Sequence, residues 1–214
     1  MLPYLTVAEI AVVMYVTLKM MWIKFLVIWR FFRLWALVDG VCPPENMKRC
    51  MSNNSGLGEF WKGWHSSFNQ WIVRYMYMPL GGRSTSLYNV WPIFLFVALW
   101  HDIEPKLIAW GLLNALFFVV ELAGQHFAAT SPAIKALPRI VFNFICALSG
   151  ATYIMILIGV NMIGYSIGIG GVSQVLQKLL TGDGIRVLAV SYYFLFIGIK
   201  VMSLLKDLGL SSKK

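Results

Sequence analysis

The stretch that decides the fold is EFWKGWHSSFNQWIVRYMYMPLGG, residues 59–82, followed closely by VWPIFLFVALWHD, residues 90–102. In the first part Phe60, Trp61, Trp64, Phe68, Trp71, Ile72 and Tyr75 recur at three- and four-residue steps. That is a helical period, and it predicts one helix over 59–78. Lys62, Ser66, Gln70 and Arg74 fall largely between the apolar positions. The segment is too polar to span a bilayer alone, so it is expected at the interface or along a protein cavity. Pro79, Gly81 and Gly82 end it. In the second part an apolar run, Val90 to Trp100 with Leu87 before it, stops at His101-Asp102. Two of the chain's three histidines, His65 and His101, fall in these two segments. Residues 59–102 are therefore expected to be the chemical centre, with the rest as the membrane scaffold around it.

Outward from that centre the chain is a series of apolar runs. Pro3 to Val38 is one long segment that contains Lys19, Lys24, Arg30 and Arg33. A helix of this length exceeds a hydrocarbon core of ~30 Å. One tilted helix with its Trp22, Trp29 and Trp35 half at the interface is preferred over a break near Lys19–Lys24. Asp39 to Gly58 reads as a polar loop, rich in Gly, Pro and Asn. Leu107 to Leu122 is a span entered through Glu104-Pro105, and Gly124 to Pro138 reads as a loop. Ile140 to Ile163 is a further span. Gly164 to Gly171 is a glycine-rich turn, and Val172 to Leu180 a short amphipathic piece. Ile185 to Leu205 is the last span, followed by a polar tail with Lys213 and Lys214. The fold class is thus all-α: a polytopic membrane protein of about five spanning helices plus an amphipathic helix, one domain over residues 1–214.

Composition supports this. Charged residues make up 13% of the chain, against about 25% in a soluble domain. The net charge of +9 would suggest nucleic acid in a soluble protein, but no binding pattern for it is present. The positives fit membrane topology instead. If the C-terminus is cytoplasmic, Lys48, Arg49, Lys62, Arg74, Arg83, Lys135, Arg139, Lys206, Lys213 and Lys214 share that side, and Lys106, Lys178 and Arg186 lie opposite. This places His65 toward the cytoplasmic face and His101 near the other end of its helix. Cys42, Cys50 and Cys146 have no zinc-type spacing with histidine. Cys146 reads as a packing residue; Cys42 and Cys50 are two loop cysteines, which alone are weak evidence for a disulfide. The run Gly168-Ile169-Gly170-Gly171 follows a span rather than a strand, so it is no dinucleotide loop.

An imidazole at the end of an apolar run is costly without a partner or a cavity, and its pKa suits proton transfer. His101 is thus the first candidate base; the alternative is a histidine at headgroup level. Asp102 is adjacent in sequence and does not face it on a helix. His65 and Asn69 stand four apart and are expected to share a face that orients substrate or stabilises an oxyanion; the alternative is a polar face in water. His126, in a Gly-Gln-His loop after a span, reads as a solvated or interfacial residue. Arg30 and Arg33 are expected to snorkel to headgroups, or to meet a phosphate-bearing substrate.

The blocks FWKGWHSSFNQWIVRYMYMPLGG and VALWHD, with WRFFRLWALVDGVCPPENM ahead of them, resemble the membrane-bound O-acyltransferase superfamily. The likeness is to its Gup-type and hedgehog-acyltransferase-like branch and runs from about Met21 to Leu122. It implies a partial bundle of that type around a tunnel, with acyl-CoA entering from the cytosol and a hydroxyl acceptor from the opposite side. By the resemblance His101 is the catalytic histidine and His65 the second site position. Trp64, Asn69, Arg74 and Trp100 are expected to bind substrate, with no metal and no bound cofactor; acyl-CoA is a co-substrate. The acceptor implied is a membrane lipid or lyso-glycosylphosphatidylinositol, or else a protein, with the endoplasmic reticulum as location. The chain is shorter than such a bundle needs and is expected to be the C-terminal part of a longer enzyme. The competing expectation is a non-enzymatic membrane protein, either a regulator of a full-length homologue or a glycerol-transport component.

Overall fold

A computed structural model describes residues 4–209, so Pro3, Lys213 and Lys214 lie outside the described residues. Among these there is no strand. Four helical runs are long and apolar enough to cross a bilayer: Val7–Val38, Pro105–Thr130, Arg139–Leu179 and Gly182–Asp207.

The first, α1 (Val7–Val38), is unbroken through Lys19–Lys24. At 1.5 Å per residue it is roughly 48 Å long. Thr6 and Glu9 begin it with a reciprocal cap: the Thr6 hydroxyl accepts the Glu9 N–H at 3.3 Å, and the Glu9 carboxylate accepts the Thr6 N–H at 2.8 Å. Both arginines at its far end hold the loop that follows. Arg30 pairs with Glu45 at 3.5 Å, and Arg33 donates to the Pro43 carbonyl at 3.2 Å. The loop up to Gly56 has no regular structure, and Cys42 and Cys50 are free thiols.

The single helix expected over 59–78 is not formed. The segment divides into α2 (Leu57–Gly63) and α3 (Ser66–Ile72), and α3 runs on into a π turn, Val73–Tyr77. The reversal lies at Trp64–His65, where His65 takes the left-handed conformation with φ 42°. A 3-10 turn, Gly82–Thr85, then leads into α4 (Ser86–His101). The rings of Phe68 and Trp100 stack at 4.6 Å, and those of Trp71 and Phe96 at 5.9 Å. Rising numbers on α3 meet falling numbers on α4, so the two run antiparallel. The amphipathic segment therefore enters the bundle and returns.

Next, α4 packs closely on α5 (Pro105–Thr130). A Cβ on Gly111 would meet the Ala98 Cβ and the Phe94 carbonyl oxygen, both at 2.8 Å, so only glycine fits that crossing. Close backbone approach through small residues is how helices associate where no water is present. The helix α5 continues past Leu122 to Thr130, so residues 124–130 are not the loop that Gly124 and the polar Gln125-His126 suggested. His126 is exposed on that last stretch. A single turn, α6 (Pro132–Lys135), leads to α7 (Arg139–Met162). The glycine-rich region beyond it is a π turn, Ile163–Ile167, joined through Gly168 (φ +61°) to α8 (Gly168–Leu179). Last comes α9 (Gly182–Asp207), crossing α7 where Ala147 and Ala151 meet Ile199.

Helix ends group as the charge count predicts. Arg139 reaches Asp207 at 3.6 Å, and Glu59 binds Lys206 at 2.9 Å and Arg49 at 3.4 Å. Burial raises the Glu59 pKa, but the hydrogen bonds from Lys206 and Ser55 outweigh it and hold the group at about 2. Lys178, on α8, donates to the Leu5 carbonyl just before α1. Large apolar side chains lie on the outer surface, among them Phe32 at 65% and Ile140 at 76% exposed. A continuous surface of this kind suits lipid rather than water.

Candidate active site

The site begins with the break at His65. Several backbone groups freed there, the Gly63 carbonyl and the N–H groups of Ser66 and Ser67, are satisfied by the preceding loop. Lys48 donates its N–H to the Gly63 carbonyl at 3.1 Å, and Ser66 donates to the Asn46 carbonyl at 3.0 Å. The Asn46 side-chain oxygen accepts from the Ser67 N–H at 3.1 Å and its hydroxyl at 2.6 Å. Residues 46–48 thus close the end of one helix and the start of the next. The start of α2 is held from the other side by Glu121 of α5, which is 5% exposed. Its carboxyl group accepts the Leu57 N–H at 2.6 Å and the Gly58 N–H at 3.3 Å. A Cβ on Gly56 would sit 3.0 Å from the same carboxyl oxygen, so a glycine there leaves it room.

This bracing brings His65 into a nest of rings. Its centroid lies 4.4 Å from Trp29, 5.2 Å from Phe68 and 6.3 Å from Trp100. Its Nδ1 is buried and has no hydrogen-bond partner among the described residues. Burial first, then the neighbouring His101, hold its pKa below the usual imidazole value. The group is therefore neutral near pH 7, with one N–H to donate and one nitrogen to accept.

His101 is the last residue of α4. Its ring lies 5.0 Å from Trp100, 5.6 Å from Trp110 and 5.9 Å from Tyr165, all edge-on. Trp110 is fixed by a hydrogen bond from its indole N–H to Asn161 at 3.1 Å. Asp102 does not orient His101; its carboxylate accepts the Ile103 N–H at 2.7 Å.

Both imidazoles line one cavity of about 1430 Å³, walled by α1, α7, α8 and α9 as well as by the break itself. The separation of His65 and His101 along the membrane normal, expected from charge counting, is not what is seen. The reversal carries His65 up to the end of α4, and Trp100 touches both rings. Trp64 and Trp100 also line the cavity, whereas Asn69, half-buried, and Arg74, exposed, do not. Asn69 meets His65 through the backbone, its N–H donating to the His65 carbonyl at 3.0 Å. Among the described residues no three His, Cys, Asp or Glu side chains gather where a metal would sit.

Sequence reasoning missed Asn46, Glu121 and Tyr165. Glu121 carried a readable signal, since a carboxylate inside an apolar span is costly unless it has a task. Asn46 and Tyr165 carried none.

The sequence profile of the membrane-bound O-acyltransferase family matches residues 1–167. The chain is 41% identical to Membrane-bound O-acyltransferase GUP1 of Millerozyma farinosa over 192 residues, 89% of this chain and 37% of that protein. It is 37% identical to the GUP1 protein of Saccharomyces cerevisiae over 196 residues, 91% of this chain and 34% of that one. Protein-cysteine N-palmitoyltransferase HHAT of Mus musculus is 29% identical over 122 residues, 55% of this chain and 24% of its own length. The chain thus spans about a third of the length of the GUP1 relatives. Matched over most of its own residues, including both histidine segments, it belongs to the membrane-bound O-acyltransferase family.

Proposed function

We propose that this chain carries the acyl-transfer site of a membrane-bound O-acyltransferase, which moves a fatty acyl group from acyl-CoA to the hydroxyl of a membrane lipid such as a lyso-glycosylphosphatidylinositol. The observation that supports it is the shared cavity: two imidazoles, each caged by aromatic rings, on the wall of one large apolar space. In this reading residues 59–102 form the active region of a single domain, and the protein resides in the endoplasmic reticulum.

His101 takes the proton from the acceptor hydroxyl as that oxygen attacks the thioester carbonyl carbon. The carbon–oxygen bond forms, and the carbonyl becomes a tetrahedral oxyanion. The neutral His65 donates an N–H to it. Collapse breaks the carbon–sulfur bond, and the departing thiolate takes the proton from His101. Apolar walls of the cavity, with Trp64 and Trp100 among them, seat the acyl chain and keep water from the thioester. A protein is the other acceptor class, favoured by the likeness to a protein-cysteine N-palmitoyltransferase.

The test is acyl-CoA transfer in membranes containing the full protein. His101→Ala is expected to lower turnover by at least about 10²-fold, in the range of a lost general base, at unchanged expression. Turnover retained in that variant would remove His101 from the chemistry.

A further inference from the structure

The π turn after α7 has no role in the reading above, yet it delivers a polar group to the same place. A π turn is rare and is frequently found at functional sites. Here it spans Ile163–Ile167 and puts Gly164 flat against the Trp110 indole. A Cβ on Gly164 would lie 2.8 Å from two atoms of that ring, so the contact admits only glycine. One turn earlier, Asn161 holds the indole N–H of Trp110 at 3.1 Å. The next residue along, Tyr165, is thereby fixed edge-on to Trp110 at 5.4 Å and to His101 at 5.9 Å. It lines the cavity with both histidines, and its hydroxyl makes no hydrogen bond to another described residue.

We propose that Tyr165 is a further residue of the transfer site, whose phenolic O–H donates a hydrogen bond to the thioester carbonyl oxygen as that oxygen becomes negative. This rests on the acyl-transfer reading. The oxyanion then has two donors, the His65 N–H and the Tyr165 O–H, contributed by segments a hundred residues apart in sequence. A donor on a ring held edge-on to Trp110 and His101 at the wall of an apolar cavity is placed before the reaction starts, which is where such a donor gives most of its rate effect. The Tyr165 ring also limits how far the His101 imidazole can turn.

Tyr165→Phe separates the two roles, because it keeps the ring and removes only the hydroxyl. In membranes containing the full protein it is expected to lower kcat by about 10²-fold, as for one lost oxyanion donor. KM for acyl-CoA should stay within about twofold, since the bond is made only in the transition state. Thermal stability in detergent should match the parent. If His101→Ala is inactive and Tyr165→Phe keeps the parent kcat, this inference is overturned and the transfer reading stands. A fall in kcat accompanied by an equal loss of folded protein assigns Tyr165 to packing and overturns it too. If His101→Ala retains activity, the parent reading fails and takes this one with it.

Discussion

At the scale of single residues, His65 is the most informative position. A non-glycine residue at positive φ is uncommon and costs of order 1–2 kcal/mol unless the surroundings enforce it. Here the enforcement is visible in the bonds from Asn46 and Lys48. A glycine would adopt φ 42° without strain. His65→Gly relieves that strain but frees the unfolded chain and deletes the ring contacts to Trp29 and Phe68, so it is expected to lower thermal stability only modestly, by about 1 kcal/mol, while acyl transfer falls steeply. Equal activity in that variant would show that the imidazole has no chemical task. The pH dependence follows from the direction of its pKa. The folded protein holds His65 below the unfolded value of about 6.5. Above that value the group is neutral in both states and neutral stability is complete. As pH falls below it the unfolded chain takes up the proton first, so stability declines. Unfolding midpoints of the parent should drop between pH 7 and pH 5, and the drop should be smaller in His65→Gly.

Helices and turns show what sequence makes legible. The spans were readable because apolar period and length survive any environment: α7 and α9 begin and end within a few residues of their expected positions. The break in 59–78 was not readable. Trp64 and Phe68 continue the apolar period straight through it, and the groups that stabilise the break come from Asn46 and Lys48 in the preceding loop, outside the segment itself. The end of α5 was misjudged for a related reason. Gly124, Gln125 and His126 read as a loop, but an outward-facing helical surface at the edge of the bundle tolerates polar residues, and the Thr130 hydroxyl closes the last turn on the His126 carbonyl at 2.9 Å. Of the candidate site, the two histidines were legible as residue types at a spacing and Trp64 and Trp100 only through the family resemblance; which of their neighbours line the cavity was not legible, since that depends on the reversal. Glu121 belongs to this scale because it acts on a helix end. Glu121→Ala leaves two backbone N–H groups of α2 without their acceptor and should cost about 1–3 kcal/mol, read as a lowered unfolding midpoint in detergent. Glu121→Gln keeps one acceptor oxygen and should fall between. An unchanged midpoint in Glu121→Ala would mean that α2 does not depend on α5.

At the scale of the whole molecule, the contacts that join distant parts lie at two levels. Glu59, Arg49, Lys206, Arg139 and Asp207 gather at one; Lys178 and the residues before α1 at the other. Single cysteines placed at Ser84 or Ala136 in a cysteine-free background should thus react with a membrane-impermeant thiol reagent from the same face as one at Leu208. Cysteines at Ile103 or Thr181 should react only from the opposite face. Labelling of Ile103→Cys and Leu208→Cys from a common face would break the topology.

The splint formed by residues 46–48 has a further consequence for how the connection after α1 tolerates change in length. Around Gly40-Val41 the backbone is exposed and ties to little but its own helix end, so extra residues there add slack without consequence. Between Asn46 and Gly63 the count is fixed: one inserted residue shifts either the rung under Gly63 or the rung over Ser66, and the two helices part company. Length variation among proteins built on this plan should therefore crowd into the first few positions of the connection and stop short of Asn46.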